Sequence, residues 1–304
     1  MTFRLSPFSG GPMNRILPTL LLTLTAAQAA PPPTLNVATG SPTGTYSAMF
    51  KNIGQVCTQS AYLRERGTSG SLENIDLLLN NEVSLAFVQS DVLKARQQID
   101  KDPRVENIRT LLPLHHEELH LFARPPTVKK NILGKATVTG VQSFADLKGK
   151  RVGAWGGSLI TARVVSAMTG VPYQIVSLKD QPSAFAALQA GQVDAVLAVV
   201  GQPATWVKAL GGVQLVAVPS NEKLSAIYAP AKLFYPNLSA QSVPTIAVQS
   251  VLATRDFKTP DKKKLLLDYQ KCAMQKLVNL QEDEGMHPKW QDVTFKSWPW
   301  PQYK

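Results

Sequence analysis

Leu35-Asn36-Val37-Ala38-Thr39-Gly40-Ser41-Pro42-Thr43-Gly44-Thr45-Tyr46-Ser47-Ala48-Met49-Phe50-Lys51-Asn52-Ile53 is the stretch on which the fold turns. Leu35 to Ala38 reads as a short apolar strand and Thr39 to Thr45 as a loop of glycines and hydroxyls. Tyr46 to Val56 reads as a helix with Met49, Phe50, Ile53 and Val56 on one face. The unit returns at once. A strand at Leu63 to Arg66 feeds Gly67-Thr68-Ser69-Gly70-Ser71 and a helix from Leu72 to Leu79, and a strand at Leu85 to Val88 feeds Gln89-Ser90-Asp91 and a helix from Val92. Short apolar strands alternating with helices imply parallel pairing and an α/β sheet.

The pattern restarts after the proline-rich break at Arg124-Pro125-Pro126. The strand Arg151 to Ala154 leads into Trp155-Gly156-Gly157-Ser158 and a helix through Ala167. The strand Gln174 to Ser177, the helix Ser183 to Ala190, the strand Val193 to Val199 and a helix after Pro203 follow. These predict a second α/β domain. The chain closes differently, with a strand over Thr245 to Ala253 and a long helix over Asp261 to Leu280.

Length and composition agree with two globular domains: 304 residues, 44% hydrophobic and 17% charged, with a mean hydropathy of −0.06. The formal charge of +11 permits nucleic acid, anionic surfaces or anionic ligands as partners. The basic residues are spread along the chain, and the Lys262 to Lys264 cluster beside Leu265 to Leu267 reads as a solvated helix face.

The N-terminus narrows the field. Arg15 precedes an apolar run interrupted by Pro18 and then Ala27-Gln28-Ala29, a small-x-small cleavage pattern, so residues 1–30 are expected to be a signal peptide cleaved near Ala29 or Ala30. Met13-Asn14-Arg15 would also serve as its start. The run is shorter than the roughly 20 residues of a spanning helix, so a soluble, periplasmic mature protein is expected, with no nucleic acid as partner. In that oxidising compartment Cys57 and Cys272 invite a disulfide, the alternative being two separate buried thiols.

In open parallel sheets ligands bind beyond the carboxyl ends of the strands, where loops feed helix N-termini with free N–H groups and a positive dipole end. The loops at Gly40 to Tyr46, Thr68 to Ser71 and Gln89-Ser90 supply hydroxyls, amides and glycines there, which suits a small anion such as a carboxylate. Helix capping is the plainer account of any one of them. His116-Glu117-Glu118-Leu119-His120 fits the His-Glu-x-x-His zinc-hydrolase pattern, which requires a helix. The alternation of Leu119, Leu121 and Ala123 with His120, Phe122 and Arg124 instead favours extended chain at a domain edge, so neither metal nor cofactor is expected. Trp290, Trp298, Trp300 and Tyr303 are expected to pin the C-terminal tail onto the first domain.

At these loops the chain resembles the TAXI family of solute-binding proteins, the extracytoplasmic receptors of one class of TRAP transporter. The resemblance is carried by Ala38-Thr39-Gly40 with Gly44-Thr45-Tyr46, by Thr68-Ser69-Gly70-Ser71-Leu72-Glu73-Asn74 and by Phe87-Val88-Gln89-Ser90-Asp91. Asp146 to Val152 and Ala190 to Ala195 are similar to segments of periplasmic binding proteins more widely. The resemblance implies a type II periplasmic-binding-protein-like fold of two lobes, residues 34–123 plus 228–304 and residues 124–227, joined by a hinge. A Cys57–Cys272 bridge would then lie within the first lobe.

The ligand contacts it implies are Gly44, Thr45, Tyr46, Thr68, Ser69, Ser71, Gln89 and Ser90 from the first lobe and Trp155, Ser158 and Thr161 from the second. Asp91 would receive a ligand amino group or cap its helix. Where the family's second-lobe loop usually reads like Gly-Ser-Gly-Thr, this chain has Gly157-Ser158-Leu159-Ile160 behind Trp155. The function implied is a monomeric, non-enzymatic receptor. It would capture a small organic acid, such as glutamate, a dicarboxylate or a 2-oxo acid, and deliver it to membrane TRAP subunits. A zinc hydrolase and a periplasmic sensory co-receptor are the alternatives.

Overall fold

The strand-and-helix alternation produces parallel pairing in both parts of the chain. A computed structural model describes residues 34–130 and 132–304, together with residues 1, 2 and 4. Apart from these three, the expected signal peptide lies outside the described residues. Residues 32–304 form one unit, built from β1 (Leu35–Ala38), α1 (Thr45–Val56), β2 (Leu63–Arg66), α2 (Ser71–Leu79), β3 (Leu85–Gln89), α3 (Ser90–Gln98) and β4 (Ile108–Ala123), in that order. A separate hairpin, β5 (Thr127–Lys130) with β6 (Ala136–Thr139), leads to β7 (Arg151–Ala154), α4 (Ser158–Thr169), β8 (Gln174–Ser177), α5 (Gln181–Gln189), β9 (Ala195–Val200), α6 (Thr205–Lys208), β10 (Gln214–Leu215) and α7 (Glu222–Ser225). The chain then forms β11 (Ala229–Leu233), β12 (Val243–Arg255), α8 (Pro260–Gln275) and α9 (Leu277–Glu282).

β1 pairs in parallel with β2 and β3, and β7 with β8 and β9. Two long antiparallel strands stand between these groups, giving the order β2-β1-β3-β12-β4-β9-β7-β8. β4 pairs with β12 over most of its length and with β9 over Glu118 to Ala123. Register irregularities between Gln249 and Val251 and between Leu252 and Ala253 interrupt the β4–β12 ladder.

The segment holding His116 to His120 is extended, as expected, and lies in the centre of the sheet, where β4 passes from β12 to β9. His115, Glu117 and His120 are buried. Their polarity is tolerated because each has a partner. The Glu118 carboxylate takes the Lys289 ammonium at 2.5 Å and the Gln202 backbone N–H at 2.7 Å, while His120 meets the Glu118 carbonyl and the Tyr235 hydroxyl at 2.8 and 3.0 Å.

Smaller differences are local. The helix expected over Ser183 to Ala190 starts at Gln181 because Asp180 Oδ1 accepts the Ser183 N–H at 3.0 Å, with Pro182 in the first turn. The helix expected over Asp261 to Leu280 is interrupted at Lys276.

The C-terminal aromatics pack as expected. Trp290, Trp300 and Tyr303 are buried, and the tail runs along the start of β4, where Thr110 N–H donates to the Pro301 carbonyl at 2.7 Å and Trp300 Nε1 to the Ile108 carbonyl at 3.0 Å. Trp298 stays partly exposed.

Cys57 ends α1 and is joined to Cys272 of α8. The bridge ties residues 215 apart in sequence, and closing so long a loop removes much of the unfolded chain's freedom. The double variant Cys57→Ser/Cys272→Ser is expected to lose about 2–5 kcal/mol of unfolding free energy. Denaturant titrations with and without reductant check this: reductant should destabilise the native protein and leave the double variant unchanged.

Candidate functional site

Asn74 organises the first face of the site. Its buried side-chain amide donates to the Thr39 carbonyl after β1 and to the Phe87 carbonyl of β3, both at 2.7 Å, and its Oδ1 accepts the Thr68 hydroxyl at 2.5 Å. One side chain therefore fixes two loops and β3 against one another. Glu73 folds the middle loop further, its carboxylate accepting from both the N–H and the hydroxyl of Ser69 at 2.8 Å. The loops converge on Ser71, whose Oγ accepts the Gln89 N–H at 3.1 Å and lies 3.2 Å from the Tyr46 hydroxyl.

Tyr46 OH donates to Glu117 Oε2 at 2.5 Å. Glu117 reaches this point because alternation along β4 gives it the same face as His115, whose Nε2 is 3.9 Å from Glu117 Oε1. Burial pushes the Glu117 carboxyl up to about 8; the hydrogen bond from Tyr46 opposes the shift, and Asp91 and Glu118 add to it. Burial also holds the His115 imidazole well below its ordinary value, so it is neutral beside the carboxyl at physiological pH.

The facing wall comes from the end of β9 and the segments that follow β7, β8 and β9: Trp155, Gly157, Ser158, Gln181, Val199, Val200 and Trp206. The two walls meet. A Cβ on Gly156, which has φ +50°, would lie 2.3 Å from the Ser69 carbonyl oxygen, and one on Gly157 would lie 2.4 Å from Gln89 Oε1 and 2.9 Å from Ser71 Cβ. The Gly156-Gly157 pair thus permits a contact that no other residue types would allow. A further bond crosses nearby, since the buried Asp91 carboxylate accepts the hydroxyl of Thr161 at 2.7 Å; it also accepts that of Tyr228 at 2.9 Å. Between the walls lies a partly open cavity of about 170 Å³. An engineered apolar cavity of ~150 Å³ takes up benzene, so this one has room for a small molecule.

Of the residues expected at a site, Gly44, Thr45, Tyr46, Ser69, Ser71, Gln89, Trp155 and Ser158 come together on the cavity wall. Thr68, Ser90 and Thr161 do not reach it: Thr68 bonds Asn74, Thr161 bonds Asp91, and Ser90 is buried in the first turn of α3. The Ser158 hydroxyl is also partly committed, accepting the Val199 N–H at 3.0 Å. Asp91 holds Thr161 and Tyr228 instead of facing the cavity.

The wall also holds Glu117, Gln181 and Trp206, which the sequence reading did not assign to ligand contact. Gln181 and Trp206 follow the carboxyl ends of β8 and β9, where the rule used for the other loops would have found them. Carboxylates within a long apolar strand were the signal for Glu117.

The zinc pattern does not form a site. On a strand, His116 and His120 are separated by roughly 13 Å, His120 has both ring nitrogens engaged, and no cluster of three metal-ligating side chains occurs among the described residues.

The NMT1-like family matches residues 37–266. Among solved structures, the chain is similar to an ancestral arginine-binding protein bound to arginine, with 15% identity and a TM-score of 0.50 over 83% of this chain and 96% of that one. The similarity at this identity is one of fold. The GluR0 ligand-binding core from Nostoc punctiforme in complex with L-glutamate matches at 18% identity and a TM-score of 0.47, over 84% and 95% of the two chains. The amino acid ABC transporter substrate-binding protein AbpA from Streptococcus pneumoniae bound to L-arginine matches at 16% and 0.48, over 85% and 95%. No curated protein matches the chain.

The raised Glu117 carboxyl makes folding pH-dependent. The unfolded chain loses this proton near pH 4.5 and the folded chain near pH 8, so the folded state binds the extra proton between these values. Its contribution to stability is full below the lower value and is lost as pH rises through the higher one. Relative to the native protein, Glu117→Gln is therefore expected to gain about 3–5 kcal/mol of unfolding free energy between pH 5 and pH 9. Parallel denaturant titrations across that range check it; a constant difference would show that Glu117 titrates normally.

Proposed function

We propose, from the premise that this chain belongs to the NMT1-like family, that it is an extracytoplasmic solute receptor of the TAXI type. It captures a small organic acid, amino and 2-oxo acids included, by lobe closure and hands it to TRAP-type membrane subunits. It performs no chemistry on what it binds. The observation that carries the reading is the contact of Gly156-Gly157 with Ser69 to Ser71 and Gln89, beside a cavity lined by hydroxyls, amides and backbone on one wall and by tryptophans and valines on the other.

The TAXI assignment is supported by the part played by its motif residues. Ser69 and Ser71 line the cavity, while Glu73 and Asn74 of the same segment shape the loop that carries them. The N-termini of α1, α2 and α4 open onto the same cavity and favour a carboxylate there.

The lobes are read as residues 34–123 with 228–304 and residues 124–227, hinged where β4 leaves β12 for β9. Export to the periplasm and a monomeric state complete the proposal. No helix among the described residues is long and apolar enough to cross a membrane. Lobe closure gives the membrane subunits something to recognise, because a ligand that binds the closed form better raises the closed population in proportion to that preference.

The test is native mass spectrometry of the gently purified mature protein with identification of the ejected molecule, followed by calorimetry with that molecule on protein emptied by unfolding and refolding. One bound organic acid per chain is expected, with at least a 100-fold loss of affinity in Gly157→Leu, which holds the walls apart, and a weaker loss in Ser71→Ala. Both variants should keep cooperative unfolding. A well-folded native protein that binds no small acid would overturn the proposal.

A further inference from the structure

The two walls of the cavity differ in chemistry. The wall from α1, α2 and β3 presents hydroxyl, amide and backbone groups, whereas the facing wall, besides Gly157, Ser158 and Gln181, presents the apolar side chains of Trp155, Trp206, Val199 and Val200. All four are only partly buried, and all four line the cavity with apolar surface. The tryptophans meet edge to face with ring centroids 6.4 Å apart, and Trp206 is braced from behind by Phe122 at 5.9 Å and Phe185 at 5.6 Å. Those two phenylalanines pack on each other at 5.1 Å. The apolar wall is thus set in place by an aromatic cluster packed against it.

The residues lining the cavity include no lysine or arginine, and their one carboxyl group, Glu117, is an acid. A first carboxylate on the ligand has the N-termini of three helices of 12, 9 and 12 residues to receive it. The same wall holds Gln89, 4% exposed, whose Oε1 has no hydrogen-bond partner. A second carboxylate would lie against indole rings and valines beside Glu117, desolvated and without a cation. An apolar side group there would instead cover the surface that the four side chains leave open.

We propose that the ligand carries one carboxylate and an apolar or aromatic side group that stacks on Trp155 and Trp206, and that dicarboxylates are excluded. This rests on the receptor reading and narrows it.

The test titrates the emptied mature protein with L-phenylalanine, L-leucine, phenylpyruvate, 4-methyl-2-oxopentanoate, L-glutamate and 2-oxoglutarate, following heat by calorimetry and indole emission by fluorescence. At least one of the first four is expected to bind 100-fold or more tightly than either dicarboxylate and to change the tryptophan emission. Trp206→Ala should weaken that binding at least 10-fold and Trp206→Phe should restore most of it. If glutamate or 2-oxoglutarate binds more tightly, the inference falls and the receptor reading stands. If no acid of either kind binds to protein that unfolds cooperatively, both fall.

Discussion

The antiparallel pairing of β4 with β12 is the constraint on which the molecule depends. Each strand is long enough to serve both halves of the sheet, and every other strand of that sheet is attached directly or indirectly to this pair. The ladder holds the β1–β3 group on one side and the β7–β9 group on the other, so the carboxyl-end loops of the two groups face each other. The cavity follows from that opposition. Its floor is β4 itself, which is why Glu117 reaches the loops from a strand instead of from one of their helices.

A central strand carrying His115, Glu117, Glu118 and His120 is unusual in its cost, since each group leaves water when the sheet forms. The structure compensates on both faces. On one, Glu118 meets Lys289 and the Gln202 N–H, and Lys289 also meets Asp292 at 2.6 Å. On the other, Glu117 is held by Tyr46 and kept protonated by its surroundings at neutral pH. Breaking the first arrangement would strand a buried charge, whereas the second avoids the charge altogether. The same strand therefore joins a structural ion pair on one face to a neutral acid in the ligand space on the other.

Most of the sheet was legible from short strands followed by Gly- and Ser-rich loops, because parallel strands buried on both faces write themselves as apolar runs. The long strands were harder. Thr245 to Ala253 showed itself as a strand but not its partner, and the polar run at His115 to Glu118 hid the length of β4 by mimicking a metal motif. At the site, Tyr46, Ser71 and Gln89 could be found because their loops repeat one pattern. Thr68 and Thr161 matched the pattern equally well and proved to bond Asn74 and Asp91, a distinction that depends on where a hydroxyl points. Gln181 and Trp206 were within reach of the same loop rule but lay outside the segments that carry the resemblance.

The place of β12 in the sheet has a consequence for how the chain acquires its structure. It lies between β3 and β4, strands that precede it by well over 100 residues, so that Leu252 must find Phe87 on one side and Leu112 on the other. Until the last third of the polypeptide arrives, β3 and β4 have an unfilled gap between them and the first group of strands has no lateral support. Assembly is dominated by contacts distant in sequence, which slows folding. A growing chain of this topology therefore stays without its central scaffold until synthesis is nearly over, which leaves a long interval in which it can still be threaded through a narrow passage as an extended polymer.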